Sequence, residues 1–103
     1  ERAARQKLLA ESRIKLADRI RCSYGILCYA EVMDTKEASQ RLSDVRLGVH
    51  LGLIPGIDPG SLNELQVMMQ PGYLQRHFGK VLSPEERDVH RAKLIRERLV
   101  RRS

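Results

Sequence analysis

A chain of 103 residues with a formal charge of +6 and a sequence pI near 9.8 is one small domain, with room for a single modest core that association can supplement. One Phe, three Tyr and no Trp leave Leu, Ile and Val to fill that core, and no apolar run reaches the length of a membrane span or the pattern of a secretory signal. The charge is uneven: residues 1–22 carry a net +4, 23–82 a net −1 and 83–103 a net +3, so attraction for an anionic partner belongs to the two terminal segments.

Residues 1 to about 31 read as a helix that can break near Gly25. Leu9, Leu16, Ile20 and Leu27 form its apolar seam, with Arg and Lys around them. The pattern is already under way at Glu1, so a longer chain with an upstream domain is expected. A cationic amphipathic helix can also lie on a membrane, but this one lacks bulky aromatic anchors. Cys22 and Cys28 lie six apart, which matches neither a CxxC redox motif nor a zinc pattern. They read as reduced, buried or half-buried thiols of a cytoplasmic protein.

Asp34-Thr35-Lys36-Glu37 is a helix start, with Asp34 as cap and Glu37 at the third helical position. The helix that follows places Ala38, Leu42, Val45 and Val49 at core spacing, and Gly48 and Gly52 allow a close approach or a stop. An exposed ion pair between Asp44 and Arg41 is expected on its outer side. Leu53-Ile54-Pro55-Gly56-Ile57-Asp58-Pro59-Gly60 is a turn-rich connection. Asp58 or Ser61 can cap the next helix, which carries Leu62, Leu65, Met68 and Met69 as core or interface residues. Gln70-Pro71-Gly72 ends that helix, and Pro71 can open a short one with Tyr73, Leu74 and Phe78 that stops at Gly79-Lys80.

The last helix has the clearest start. Ser83 is the cap, Pro84 takes the first helical position and Glu86 completes a capping box. Val89, Ala92, Ile95, Leu99 and Val100 fall on one side; Arg87, Arg91, Arg98 and Arg102 fall in line on another, with Asp88 between. Two arginines four apart can offer guanidinium forks to one phosphoryl group, and a nearby carboxylate can hold a cation on the same ligand. The plainer reading is an exposed Asp88–Arg91 ion pair on a solvated face. His90 reads as solvent-facing. The expected fold is all-α: a compact bundle of four or five helices with short Pro/Gly turns and an extended N-terminal helix.

Arg87-Asp88-Val89-His90-Arg91-Ala92 resembles the Arg-Asp-x-x-Arg-Ala motif of the McsB family of bacterial protein-arginine kinases, relatives of the phosphagen kinases. Arg41-Leu42-Ser43-Asp44-Val45-Arg46-Leu47-Gly48, Leu62-Asn63-Glu64-Leu65, Gln70-Pro71-Gly72 and Leu82-Ser83-Pro84-Glu85-Glu86-Arg87-Asp88 resemble the C-terminal region of that family in the same order. The similarity is clearest from residue 34 to 99. It implies a single domain over 1–103 that mediates homodimerisation and binds phosphoarginine in bacterial stress-response protein quality control. Residues 1–33 would follow a kinase domain.

Carried over by that motif, Arg87 and Arg91 would hold the phosphoryl oxygens and Asp88 the guanidinium. Arg41 and Arg46 are further contributors to consider. The resemblance also implies the McsA activator, a heat-shock repressor substrate and a Clp-type unfoldase as partners. ATP and magnesium would serve the kinase domain, which holds the catalytic groups, so this segment should not phosphorylate alone.

Apart from the resemblance, His50, His77 and His90 form no metal-ligand spacing, and the glycines punctuate turns rather than cradle phosphate. A basic helical nucleic-acid module, using the Arg87–Arg102 stripe, is one alternative. It lacks a helix-turn-helix signature and an aromatic platform. A purely structural helical dimer is the other alternative.

Overall fold

The structure, a computed structural model, describes residues 2–54, 56–70 and 72–100. Five helices follow one another: α1 Arg2–Tyr29, α2 Thr35–His50, α3 Pro59–Met68, α4 Tyr73–Phe78 and α5 Pro84–Val100. No strand occurs among the described residues, as the periodicities predict. No helix is long and apolar enough to cross a membrane. The expected opening of α4 at Pro71 and the Arg102 end of the arginine stripe lie outside the described residues.

Both expected caps, Asp34 and Ser83, mark real helix starts. The Glu37 amide donates to Asp34 Oδ1 at 2.7 Å. At α5 the pairing is reciprocal: the Glu86 amide donates to Ser83 Oγ at 3.2 Å and the Ser83 amide to Glu86 Oε1 at 3.3 Å. The Ser83 amide, then its hydroxyl, holds the Glu86 carboxyl below its ordinary 4.5. A carboxyl lowered in the folded state stabilises above its unfolded value, so this contact is present above about pH 4.5 and fades as the pH falls below it. At α3, Asp58 occupies the cap position before Pro59, but its side chain makes no cap hydrogen bond.

The core is one cluster drawn from α1, α2, α3, α5 and the connections before α2 and α3. Ile20 and Leu27 meet Ala38, Leu42 and Val45 across the α1–α2 pair; Ile54, Leu62, Leu65, Ala92, Ile95 and Leu99 close the other sides. Burying each Leu or Ile contributes about 1.5–3 kcal/mol. The α1–α2 pair sets the limit of this core. α2 is antiparallel to α1 and only 16 residues long, about 24 Å, whereas α1 has 28 residues, about 42 Å. The first half of α1 therefore stands clear, and the molecule measures 60 × 26 × 20 Å.

Several side chains depart from the pattern for that reason or a related one. Leu9 belongs to the α1 seam but is 53% exposed, because α2 does not reach it. Val89 and Val100 are exposed as well, since α5 buries a narrower stripe through Ala92, Ile95 and Leu99. α1 is continuous through Gly25, where no neighbouring residue presses on the helix. Cys28 is buried but Cys22 faces solvent; both are free thiols. Burial pushes the Cys28 thiol up, and the Tyr24 hydroxyl partly offsets this.

The expected Asp44–Arg41 pair is not formed. Ser23, a buried polar residue of α1, stands between them: its Oγ donates to Asp44 Oδ2 at 2.8 Å and accepts from Arg41 Nη1 at 3.3 Å. Arg41 instead pairs with Glu37 at 2.9 Å, and Arg19 approaches Asp44 at 3.6 Å.

At Gly48 α2 comes close against α1. A Cβ there would collide with Ile20 Cγ2 and stand 2.8 Å from Ile54 Cδ1. Gly48→Ala should therefore lower the unfolding free energy by about 1–3 kcal/mol despite its better helix propensity. Gly25→Ala, with open space around it, should raise it by about 0.5–1 kcal/mol. Urea denaturation of the two variants checks both signs.

Candidate functional site

The capping box fixes the start of α5 and sets the phase of its first turns. Arg87, Asp88 and Arg91 then project toward the start of α2. All three line one open cleft of about 360 Å³, together with Asp34, Thr35, Lys36 and Pro84. The sequence motif thus lies in a single concavity, between the N-terminal ends of α2 and α5. Arg87 and Arg91 also form the wall of a neighbouring cleft of about 380 Å³, whose other lining includes Thr35, Met68, Met69, Gln70, Leu74 and Gln75. The first cleft holds carboxylates beside its cations. The second holds only cations, amides, a hydroxyl and apolar groups.

Arg91 is not a surface residue. It is 8% exposed, and its Nη1 donates to Asp88 Oδ1 at 2.7 Å and to the Met33 carbonyl at 2.8 Å. Its Nε is buried with no hydrogen-bond partner. The expected Asp88–Arg91 i,i+3 pair therefore exists, but in a largely desolvated setting rather than on a solvated face. Arg87 is half-buried, and its guanidinium makes no hydrogen bond or ion pair among the described residues. A cation free to act and a second cation with a spare N–H stand four residues apart.

The remaining sequence candidates lie elsewhere. Arg46 Nη2 donates to Asn63 Oδ1 at 2.9 Å and Gln66 Oε1 at 2.8 Å, tying α2 to α3. Arg41 lines a separate cleft with Arg19, Cys22, Ser23 and Asp44. Neither reaches the Arg87–Arg91 clefts. Arg98 pairs with Glu64 at 2.9 Å, so the described arginines of α5 do not form one continuous free stripe. His90 does not face solvent: it is half-buried, with its ring 4.4 Å from that of Phe78. Met68 is core, within the core-or-interface reading of the α3 methionines, and Met69 and Tyr73 are partly buried against the same cluster.

Sequence reasoning missed Thr35, Lys36, Gln70 and Gln75 as cleft residues. The Asp34 cap signal locates the α2 end, but nothing in its spacing pairs that end with α5. Among the described residues no group of three or more His, Cys, Asp or Glu is placed to hold a metal ion.

The family model for the protein-arginine kinase McsB C-terminal domain matches residues 13–103. A protein-arginine kinase of Brevibacillus brevis is 60% identical over 99 residues, covering 96% of this chain and 28% of the relative. That of Halalkalibacterium halodurans is 54% identical with the same coverage. That of Bacillus subtilis is 50% identical, covering 96% of this chain and 27% of the relative. The chain thus spans little more than a quarter of the length of these relatives.

The burial of Arg91 makes a stability prediction. Arg91→Met strands the Met33 carbonyl and leaves Asp88 half-buried without its partner, and should cost about 1–3 kcal/mol of unfolding free energy. Arg87→Met, which breaks no hydrogen bond or ion pair among the described residues, should stay within about 0.5 kcal/mol of the parent. Chemical denaturation distinguishes this from a solvated arginine face, for which both variants would be near neutral.

Proposed function

Because the chain belongs to the protein-arginine kinase McsB C-terminal domain family, we propose that it is a phosphoarginine-binding and homodimerising regulatory domain. The carrying observation is the convergence of Arg87, Asp88 and Arg91 on one cleft, with the Arg91 Nε left unpaired. A phosphoarginine side chain carries a phosphoryl dianion joined directly to a guanidinium. Arg87 and Arg91 hold the phosphoryl oxygens, and Asp88 holds the ligand's guanidinium.

Binding is then an exchange of ion pairs. The Asp88–Arg91 pair opens, Arg91 turns to the phosphoryl group, and Asp88 receives a replacement cation. Each buried charge keeps a partner of opposite sign, which avoids the cost of an uncompensated charge. A phosphoserine would satisfy the arginines but set its own negative charge against Asp88. A free arginine would satisfy Asp88 and set its cation against two others. Selectivity follows from needing both charges at once.

Self-association draws support from α1, where Leu8, Leu9 and Ile14 are exposed on the half that no other helix covers. The role in bacterial stress-response quality control, a cytoplasmic location, and McsA, a heat-shock repressor and a Clp-type unfoldase as partners are proposals from family membership. So is kinase activity of the whole protein. ATP and magnesium belong to that activity and are likewise proposed for the kinase domain alone.

Titration calorimetry of the chain with phosphoarginine, phosphoserine and arginine tests the reading. Phosphoarginine should bind at least about tenfold more tightly than either control. Arg87→Ala should weaken it, and Asp88→Asn should abolish its preference over phosphoserine, with helical circular dichroism unchanged. Equal or absent responses to the three ligands would refute a phosphoarginine reader. A nucleic-acid module would instead bind a DNA or RNA duplex with a steep loss of affinity as salt rises.

A further inference from the structure

The connection between α1 and α2, residues 30–34, is fastened to α5 at two levels. At its start Arg96 Nη1 donates to the Ala30 carbonyl at 2.6 Å. Near its end the fastening runs both ways: Arg91 Nη1 donates to the Met33 carbonyl at 2.8 Å, and the Met33 amide donates to the Asp88 carbonyl at 3.1 Å. Met33 is only 1% exposed, so water cannot readily replace a lost partner on its backbone.

Arg91 thus serves the fold and the cleft with the same atom. Its Nη1 is already committed to Asp88 and Met33, while its Nε has no partner. A guanidinium is a rigid planar fork. Its Nε is buried, so bringing that N–H onto a phosphoryl group requires the whole planar fork to turn, which carries Nη1 away from its present acceptors. The unpaired Nε marks an arrangement in which the side chain rests against the connection rather than on a ligand.

We infer that occupation of the cleft by a phosphoguanidino group draws Arg91 off the Met33 carbonyl and loosens the 30–34 connection from α5. The inference rests on the phosphoarginine reading and adds its regulation. The connection is the covalent link between α1, whose first half stands clear of the body, and the helices that form the cleft. Ligand occupancy is thereby converted into a change in how firmly α1 is held.

Linkage makes the coupling reciprocal. If the ligand favours the loosened connection, weakening the connection elsewhere must favour the ligand. Arg96 offers that handle. It lines a separate open depression with Cys28, Tyr29, Glu97 and Val100 and does not line either cleft of Arg87 and Arg91. Arg96→Met removes the Ala30 fastening without altering a group that would touch ligand.

The test combines a phosphoarginine titration of the parent and of Arg96→Met with hydrogen exchange of the Met33 amide, followed by NMR. The expected results are about a fivefold or greater fall in Kd for Arg96→Met and faster Met33 exchange in the saturated parent. Saturable binding with Met33 exchange unchanged or slowed would overturn the coupling and leave phosphoarginine recognition standing. Failure of the parent to bind would overturn recognition and the coupling with it. If Arg96→Met does not fold, Met33 exchange in the parent decides alone.

Discussion

Burying a guanidinium costs free energy unless its N–H groups find acceptors, and Arg91 meets that demand only in part. It joins α5 to the connection before α2 through the Met33 carbonyl, and it neutralises Asp88 one turn earlier. It also forms the wall shared by the two clefts at the start of α2. The cation at this position supplies something packing does not: a charge held near the surface, incompletely bonded, beside the uncommitted cation of Arg87.

The rest of the fold serves to hold that cation in place. α2 is brought against α1 by Gly48, whose missing side chain leaves room for Ile20 and Ile54. The Ser23–Asp44 hydrogen bond sets their register from the polar side. α5 is seated by Ala92, Ile95 and Leu99, and its first turn is oriented by the Ser83–Glu86 box. Arg87, Asp88 and Arg91 then lie at the junction of two helix starts, where the positive ends of both helix dipoles favour an anion. The resting ion pair and a bound phosphoguanidino group are alternative ways of balancing the same charges.

Local features of this arrangement are legible in the sequence, and long-range ones are not. The Asp34 and Ser83 caps can be read because both partners of each hydrogen bond lie within three residues. The Asp88–Arg91 pair can be read for the same reason. The burial of Arg91 cannot, because its second acceptor lies 58 residues away. His90 resembles a surface residue until Phe78 is folded against it. Ser23 resembles one until Asp44 and Arg41 of α2 satisfy its hydroxyl. The apolar seam of α1 is correctly phased from Leu16 onward. How far along it burial extends depends on the length of α2, which no pattern within α1 records. Only the Arg-Asp-x-x-Arg-Ala resemblance, and not spacing, sets this turn of α5 apart from the chain's other arginines.

Phosphoarginine recognition by this cleft requires the unpaired Arg91 Nε to be put to use. Arginine Nε–H resonances of the nitrogen-15-labelled chain, with Arg91 assigned through Arg91→Lys, report this atom directly. Saturation with phosphoarginine should shift the Arg91 Nε–H strongly downfield and slow its exchange with water, as a new charge-assisted hydrogen bond requires. An Arg91 Nε–H signal that stays unchanged while the ligand saturates would contradict the account, because the ligand would then be held without the residue on which both the cleft and the connection depend.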